Sequence, residues 1–256
     1  MHRFFVARNR IDLYEKQIII EDEDVKHISK VLRLKPEDIV EICDGIGGEY
    51  ICEIESINKN DVLLSILEEK RSTQEAPIEV ILYQGIPKGA KMDLIIQKTT
   101  ELGITDIIPV EMERTIVQFD NDKDKSKKVE RWQKIALEAA KQSKRGIVPT
   151  IHMPITFKAA VEHSKGNQLN IMPYENEEDV GFKGIIESLT YDEKSSIKNV
   201  GIWIGPEGGF DETEVLKAVE SKIHPITLGP RILRTETAGF TILSLVMYEL
   251  GDLGGA

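Results

Sequence analysis

Ile204-Gly-Pro-Glu-Gly-Gly-Phe210 and, about twenty residues later, Leu228-Gly-Pro-Arg-Ile-Leu-Arg-Thr-Glu-Thr-Ala238 are the two stretches on which the fold turns. Each follows an apolar run suited to a buried strand, Val200 to Ile204 and Ile223 to Leu228, and each leads into a helix-like segment. Both loops therefore open on the same edge of one sheet, and the crevice outside the carboxyl ends of such strands is where open α/β sheets bind ligands. Gly205, Gly208 and Gly209 suit either a tight strand-to-helix turn or close approach of backbone to a ligand. Asp211 and Glu214 have the spacing of a capping box for the next helix. Glu207 inside the loop and Asp211 at the helix start would repel a pyrophosphate. Neither G-x-x-x-x-G-K-[ST] nor G-x-G-x-x-G is nearby, so a neutral or cationic ligand fits better. The second loop crowds Arg231, Arg234, Thr235, Glu236 and Thr237 into a short connection, more polar function than a turn requires.

Working outward, the chain after residue 77 alternates strands and helices, which implies parallel strands joined by crossover helices. Strand candidates are Ile78 to Gln84, Asp106 to Val110, Thr115 to Val117, Leu169 to Met172, Val200 to Ile204 and Ile223 to Leu228. Met92, Ile95, Ile96, Thr99 and Leu102 form one helical stripe, and Val129, Trp132, Ile135, Ala136, Ala139 and Ala140 another. Glu236 to Leu250 is the last helix. Before residue 70, short runs (Phe4 to Ala7, Gln17 to Ile20, Ile39 to Cys43, Tyr50 to Ile57, Val62 to Leu67) separated by turn signals suggest a small β-barrel, interrupted by one helix over Asp24 to Leu32. Lys70 to Pro77 is polar and ends in proline, the look of a linker or domain boundary. Two domains follow, 1–72 and 73–256.

With 256 residues and 41% hydrophobic content the chain can bury a sizeable core. The N-terminus is too short and too charged for a signal peptide, and no apolar run approaches a membrane span, so the expectation is a cytoplasmic protein with no membrane partner. Cys43 and Cys52 are too few for a disulfide framework, and His27, His152, His163 and His224 lack ligand spacing, so no metal is expected. Net charge is −11, yet Asn121 to Arg145 carries nine Lys or Arg against four acids, while Tyr174 to Glu193 carries seven acids and a single Lys183. The basic run is either a solvated stretch or a basic face on an acidic protein.

The two C-terminal loops resemble those of the SPOUT superfamily of methyltransferases, and within it the family that methylates N3 of a uridine in small-subunit (16S) ribosomal RNA. Similar too are His27-x-x-x-Val31-Leu-Arg-Leu34, Asp44-Gly-Ile-Gly-Gly48, Pro87-Lys-Gly, Lys98-Thr-Thr-Glu-Leu-Gly103, Arg131-Trp132 and Glu138-Ala-Ala-Lys-Gln-Ser143. Cys43 before Asp44 and Lys144-Arg145-Gly146 depart from the family pattern, outside the two loops. The resemblance implies a trefoil-knotted parallel sheet domain and an N-terminal PUA-like RNA-binding barrel. It also implies a homodimer, 16S rRNA in the small subunit as partner, and S-adenosylmethionine as cofactor, with the Met172-Pro-Tyr-Glu175 loop completing the site.

On that footing Met172, Pro173, Ile204, Gly205, Pro206, Glu207, Gly208, Gly209, Leu228, Gly229, Ile232, Leu233, Arg234, Thr237 and Ala238 are expected at the cofactor, with core packing an equal alternative for Met172 and Leu233. Uracil N3 must lose a proton, and a cation near O2 and O4 would favour the resulting anion. Arg234 is the first candidate and Arg231 the second. Glu236 is either the base or a helix-capping acid. Arg3, Arg8, Arg10, Lys26, Lys30, Arg33, Lys88 and Arg145 are available to RNA. The alternatives are a non-catalytic RNA-binding assembly factor, a SPOUT enzyme acting on another RNA, or a nucleotide enzyme, the last disfavoured by Glu207.

Overall fold

The structure, a computed structural model, describes residues 1–117, 119 and 121–255. Two units divide it: Met1–Glu75 with Ala140–Val148, and Ala76–Ala139 with Pro149–Ala256.

The first unit is a six-stranded sheet built from β1 (His2–Phe5), β2 (Ile11–Asp12), β3 (Gln17–Glu21), β4 (Ile39–Cys43), β5 (Gly48–Ile57) and β6 (Asp61–Arg71). Their order is β1-β4-β5-β6-β3-β2, antiparallel except for the β1–β4 pair. Period-two burial makes the core: Ile18 and Ile20, Val40 and Ile42, Tyr50, Cys52 and Ile54, Val62 and Leu64 all point to one face and form one cluster with Phe4. Strands from both ends of the order meet in that cluster, so the sheet curls on itself. Register shifts in the β5–β6 ladder between Ile51 and Cys52 and between Ile54 and Ser56 supply the bend. The predicted helix is present as α1 (Glu23–Lys26), which widens into a π-type turn over His27–Leu32 and ends at Arg33 in the left-handed region. Val25 and Ile28 close the core, while Lys26, Lys30 and Arg33 are exposed. Burial pushes both free thiols, Cys43 and Cys52, up to about 12, which leaves them inert at neutral pH.

The stretch 70–77 contains the division between the units, at Glu75/Ala76, but its first part is ordered strand and not a loose linker. β6 continues to Arg71 because Gly48 and Glu49 pair with Arg71 and Lys70. Glu75 is then locked to residues 145–147: its carboxylate accepts from Arg145 Nη2 (2.7 Å), Gly146 N (2.9 Å) and Ile147 N (3.0 Å). Arg145 is 3% exposed. Glu75→Ala should therefore lower the stability of this unit by about 3 kcal/mol, because it removes a carboxylate that pairs with the buried Arg145 and leaves the Gly146 and Ile147 N–H groups without their acceptor. A thermal midpoint unchanged from the parent protein would refute this.

The second unit is an α/β sheet of seven strands, all parallel: β7 (Glu79–Gly85), β8 (Asp106–Glu111), β9 (Thr150–Ile151), β10 (Ile155–Thr156), β11 (Leu169–Pro173), β12 (Asn199–Ile204) and β13 (His224–Ile226). The order is β10-β8-β7-β12-β11-β13, with β9 also on β8. Crossovers are α2 (Lys91–Glu101), α3 (Asp122–Ser143), α4 (Phe157–Ser164), α5 (Phe182–Ser188), α6 (Tyr191–Ser196) and α7 (Glu212–Glu220), and α8 (Thr235–Glu249) ends the domain. Buried on both faces, the central strands read as near-continuous apolar runs. On one face Tyr83 stacks on Trp203 with ring centroids 4.4 Å apart, and Phe157 meets Trp203 edge-on. α8 packs against α2 and β12, burying Ile242, Leu243, Val246 and Met247. The expected strand Thr115 to Val117 is not formed. Thr115 N donates to Met112 O and its hydroxyl accepts from Met112 N, closing a turn, and Ile116 is 65% exposed. The last expected strand is shorter than Ile223 to Leu228, since only His224–Ile226 pairs with β11.

Candidate active site

β12, β11 and β13 are neighbours in the sheet, so Ile204, Pro173 and Ile226 deliver three loops to one edge. Between those loops lies a cavity of about 870 Å³, within the range of small-molecule sites. Its wall includes Pro173, Ile204, Gly205, Pro206, Glu207, Gly209, Leu228, Gly229, Arg231, Ile232, Leu233, Arg234 and Ala238 from the sequence-based expectation. Met172 is fully buried among Ile108, Trp203 and their neighbours, and Gly208, Glu236 and Thr237 do not line the cavity. Lys91, Tyr174, Glu175, Glu177, Glu178, Phe210, Thr227, Pro230 and Thr235 complete the lining. Of these, Glu177 and Glu178 carried no site signal, because acidic residues after a strand look like any loop, and Phe210 and Thr227, though within the stretches singled out, read as turn and strand residues.

Local hydrogen bonding fixes the loops. After β12, Gly209 at φ +68° turns the chain so that its N–H donates to Pro206 O (3.0 Å). Asp211 and Glu214 form the reciprocal capping box of α7. Arg114 steadies the outside of this loop by donating to Gly208 O (3.0 Å). At the other end, Gln84 Nε2 donates to Thr235 Oγ1 (3.0 Å), and that hydroxyl donates to Gly205 O (2.6 Å). The first residue of α8 is thereby tied to β7 and to the β12 loop. Glu236 lies in the first turn of α8, where a carboxylate meets the positive end of the helix, and its Oε2 is buried without a hydrogen-bond partner among the described residues.

Glu207 accepts from Lys91 Nζ (2.8 Å) and Lys88 N (3.1 Å). Burial works to raise its pKa, but the bonds from Lys91 and from backbone N–H groups outweigh it and hold the carboxyl below the ordinary glutamate range. With its pKa lowered in the folded state, the tether is complete above that range and is lost as pH falls through and below it. Ligand affinity should therefore weaken in acid. Because Glu175, Glu177 and Glu178 also line the cavity, the test is the difference between the parent protein and Glu207→Gln, whose affinity should vary less with pH.

The wall suits one kind of ligand. Four carboxylates (Glu175, Glu177, Glu178 and Glu207) stand against Lys91, Arg231 and Arg234, and Lys91 is already paired with Glu207. A polyphosphate is disfavoured, and a zwitterionic or cationic molecule with an apolar portion against Ile204, Leu228 and Leu233 fits.

Among the cations expected at RNA, Arg3 is bound by Glu41 (2.9 Å) and Glu49 (3.3 Å) and Arg145 by Glu75, so both serve the first unit's own packing. Arg8 is half-exposed beside Asp44 and Tyr50, and Arg10 pairs with Glu21 and Asp22. Lys30, Arg33 and Lys88 are exposed. Among the described residues no group of three or more His, Cys, Asp or Glu could hold a metal ion.

Comparison with known proteins agrees with this architecture. An RNA methyltransferase PUA domain model matches residues 20–67, and an RNA methyltransferase domain model matches residues 74–247. Fold and site thus define an RNA methyltransferase of SPOUT type with a PUA-like N-terminal domain. The proteins named Ribosomal RNA small subunit methyltransferase E from Bacillus subtilis (strain 168) and Aquifex aeolicus (strain VF5) are 37% and 31% identical, covering 100% and 96% of this chain and 99% of each relative. A crystal structure of a Ribosomal RNA small subunit methyltransferase E from Neisseria gonorrhoeae, bound to S-adenosyl methionine, is 30% identical, covers 99% of both chains and superposes with a TM-score of 0.83. The chain belongs to the ribosomal RNA small subunit methyltransferase E family.

Proposed function

We propose that this protein transfers the methyl group of S-adenosylmethionine to N3 of a uridine in 16S rRNA of the small ribosomal subunit, acting in the cytoplasm as a homodimer. The observation that carries the reading is the coincidence of whole-length family similarity with a cavity whose wall suits that cofactor. Carboxylates are available to its cationic centres, glycine backbone at Gly205 and Gly229 allows close approach, and aliphatic side chains offer a seat for the adenine. When bound, the cofactor supplies an electrophilic methyl on a sulfonium. The protein's own part is to exclude water with the three loops, and to stabilise the anion that N3 becomes when its proton leaves. Arg234 and Arg231 line the cavity and are the groups for that task, with Glu236, just outside the lining, as proton acceptor. Lys30, Arg33 and Arg8 are the barrel's contribution to RNA.

Two further elements belong to this reading. A trefoil knot is supported by the way the chain, after edge strand β13, returns through Leu228–Arg234 so that Thr235 bonds with β7 and with the loop after β12, and then packs α8 on α2. The dimer is supported by Leu245 and Tyr248, exposed apolar side chains on α8. Light scattering at micromolar concentration should give twice 28.9 kDa, and an active monomer would remove the dimer. The reaction itself is tested by incubating labelled cofactor with small ribosomal particles, stripped rRNA and transfer RNA, and identifying the methylated nucleoside. Expected is 3-methyluridine in the particle. Label only in transfer RNA, or a ribose methyl, would overturn the substrate assignment.

A further inference from the structure

α3 carries a line of cations for which the cofactor cavity has no use. Its inward side is apolar, with Trp132, Ala136 and Ala139 buried. Lys123, Lys127, Arg131 and Lys134 are exposed. At the turn of an α-helix these four fall within an arc of about 80°, opposite the buried residues, and from first to last they run about 16 Å along the axis. The neighbouring lysines are otherwise engaged: Lys125 bonds Glu111 (2.7 Å), and Lys125 and Lys128 both sit over the Phe119 ring. Arg131 pairs with Asp93. Lys123, Lys127 and Lys134 form no ion pair among the described residues.

We infer that this stripe on α3 is an RNA-contact surface that grips the phosphate backbone of the substrate, in addition to the cations of the barrel. The inference rests on the assignment of an RNA substrate above. A row of donors without an intervening apolar side chain suits a run of phosphates. It does not suit a membrane surface, since an interfacial helix needs an apolar face to insert and α3 contributes none of the large exposed hydrophobics. In a chain of net charge −11 the stripe is also a local region of favourable potential for an incoming polyanion, so it would orient the RNA as well as hold it.

The test is the combined Lys123→Gln, Lys127→Gln and Lys134→Gln variant of the full chain, glutamine being nearly as good a helix former as lysine. Lys158→Gln, Lys165→Gln and Lys198→Gln together remove the same charge elsewhere as a control. Affinity for small ribosomal particles and stripped 16S rRNA is measured across salt concentrations, with KM, kcat and cofactor affinity alongside. For the stripe variant, RNA affinity should fall about tenfold or more near 0.1 M salt. The slope of log affinity against log salt should become shallower by about two to three, with KM for RNA raised and kcat and cofactor affinity unchanged. The control should stay within about twofold of the parent. Equal losses in both variants would reduce the effect to bulk charge and overturn the inference. So would unchanged RNA affinity and slope with altered binding only to RNA-free ribosomal proteins, which would make α3 a protein-docking face. Failure of the parent protein to bind or methylate any ribosomal RNA is a separate result, and would sink the substrate assignment.

Discussion

Gly205→Val is expected to weaken S-adenosylmethionine binding at least about a hundredfold, near 2.7 kcal/mol, while the protein stays folded. A Cβ at Gly205 would stand 3.1 Å from Gly209 C, 3.2 Å from Gly209 Cα and 3.3 Å from Phe210 N. All three are backbone atoms, so no side chain can swing aside. The loop cannot close further either, because Gly209 already holds φ +68° and its N–H is committed to Pro206 O. The strain is relieved only by displacing the Pro206–Phe210 turn, which forms one wall of the cavity. Gly208→Val makes a useful contrast. A Cβ there meets Arg114 Cβ at 3.2 Å and Cδ at 3.6 Å; the Cδ can swing aside, and the tighter contact is relieved by a shift of a few tenths of an ångström against Arg114, a residue outside the cavity lining. Its effect on cofactor affinity should be clearly the smaller. Calorimetry on the two variants, with circular dichroism to verify folding, decides the matter. Cofactor affinity within about threefold of the parent for Gly205→Val would place this loop outside the site.

The contrast between those glycines marks where sequence reasoning stops. The alternation Val40, Glu41, Ile42 and the stripe Met92, Ile95, Ile96 and Thr99 were legible because burial on one face imposes the period of the element itself, and Val40, Ile42 and the four helix residues are buried. The cavity edge was legible for a similar reason, since apolar strands ending in glycine-bearing loops converge on the carboxyl side of a parallel sheet. What a pattern cannot carry is a partner distant in the chain. Nothing near Arg3 or Arg145 announces that Glu41, Glu49 and Glu75 neutralise them, so they read as free cations when they are internal struts. Thr115 to Val117 has β-branched residues fit for a strand, but a side-chain bond to Met112 N turns the chain first. Met172 lies one residue short of the strand end, and that single step separates full burial from the cavity wall at Pro173.

Arg234→Ala should lower kcat for methyl transfer by about 10² to 10³ while leaving cofactor affinity within about threefold. The backbone of Arg234 is extended at φ −67° and ψ 155°, and the next residue, Thr235, is held by Gln84 and Gly205. The Cα is therefore fixed at the cavity rim, yet the guanidinium has no hydrogen-bond or ion-pair partner among the described residues and is exposed. A cation held at its root and free at its tip can follow charge as it develops on a substrate. It stands, moreover, at the start of α8, whose first backbone donors receive no side-chain cap and whose dipole adds to the same positive potential. Charge on O2 and O4 of the uracil is small in the ground state and large once the N3 proton leaves. A group acting on that charge therefore shows in kcat and not in binding. Arg234→Lys should recover part of the rate by restoring charge without the planar fork, and Arg231→Ala should cost less than Arg234→Ala. Equal losses in cofactor affinity and rate for Arg234→Ala would make the residue a binding or structural element, and the anion would then have to be stabilised by Arg231 and the α8 amides alone.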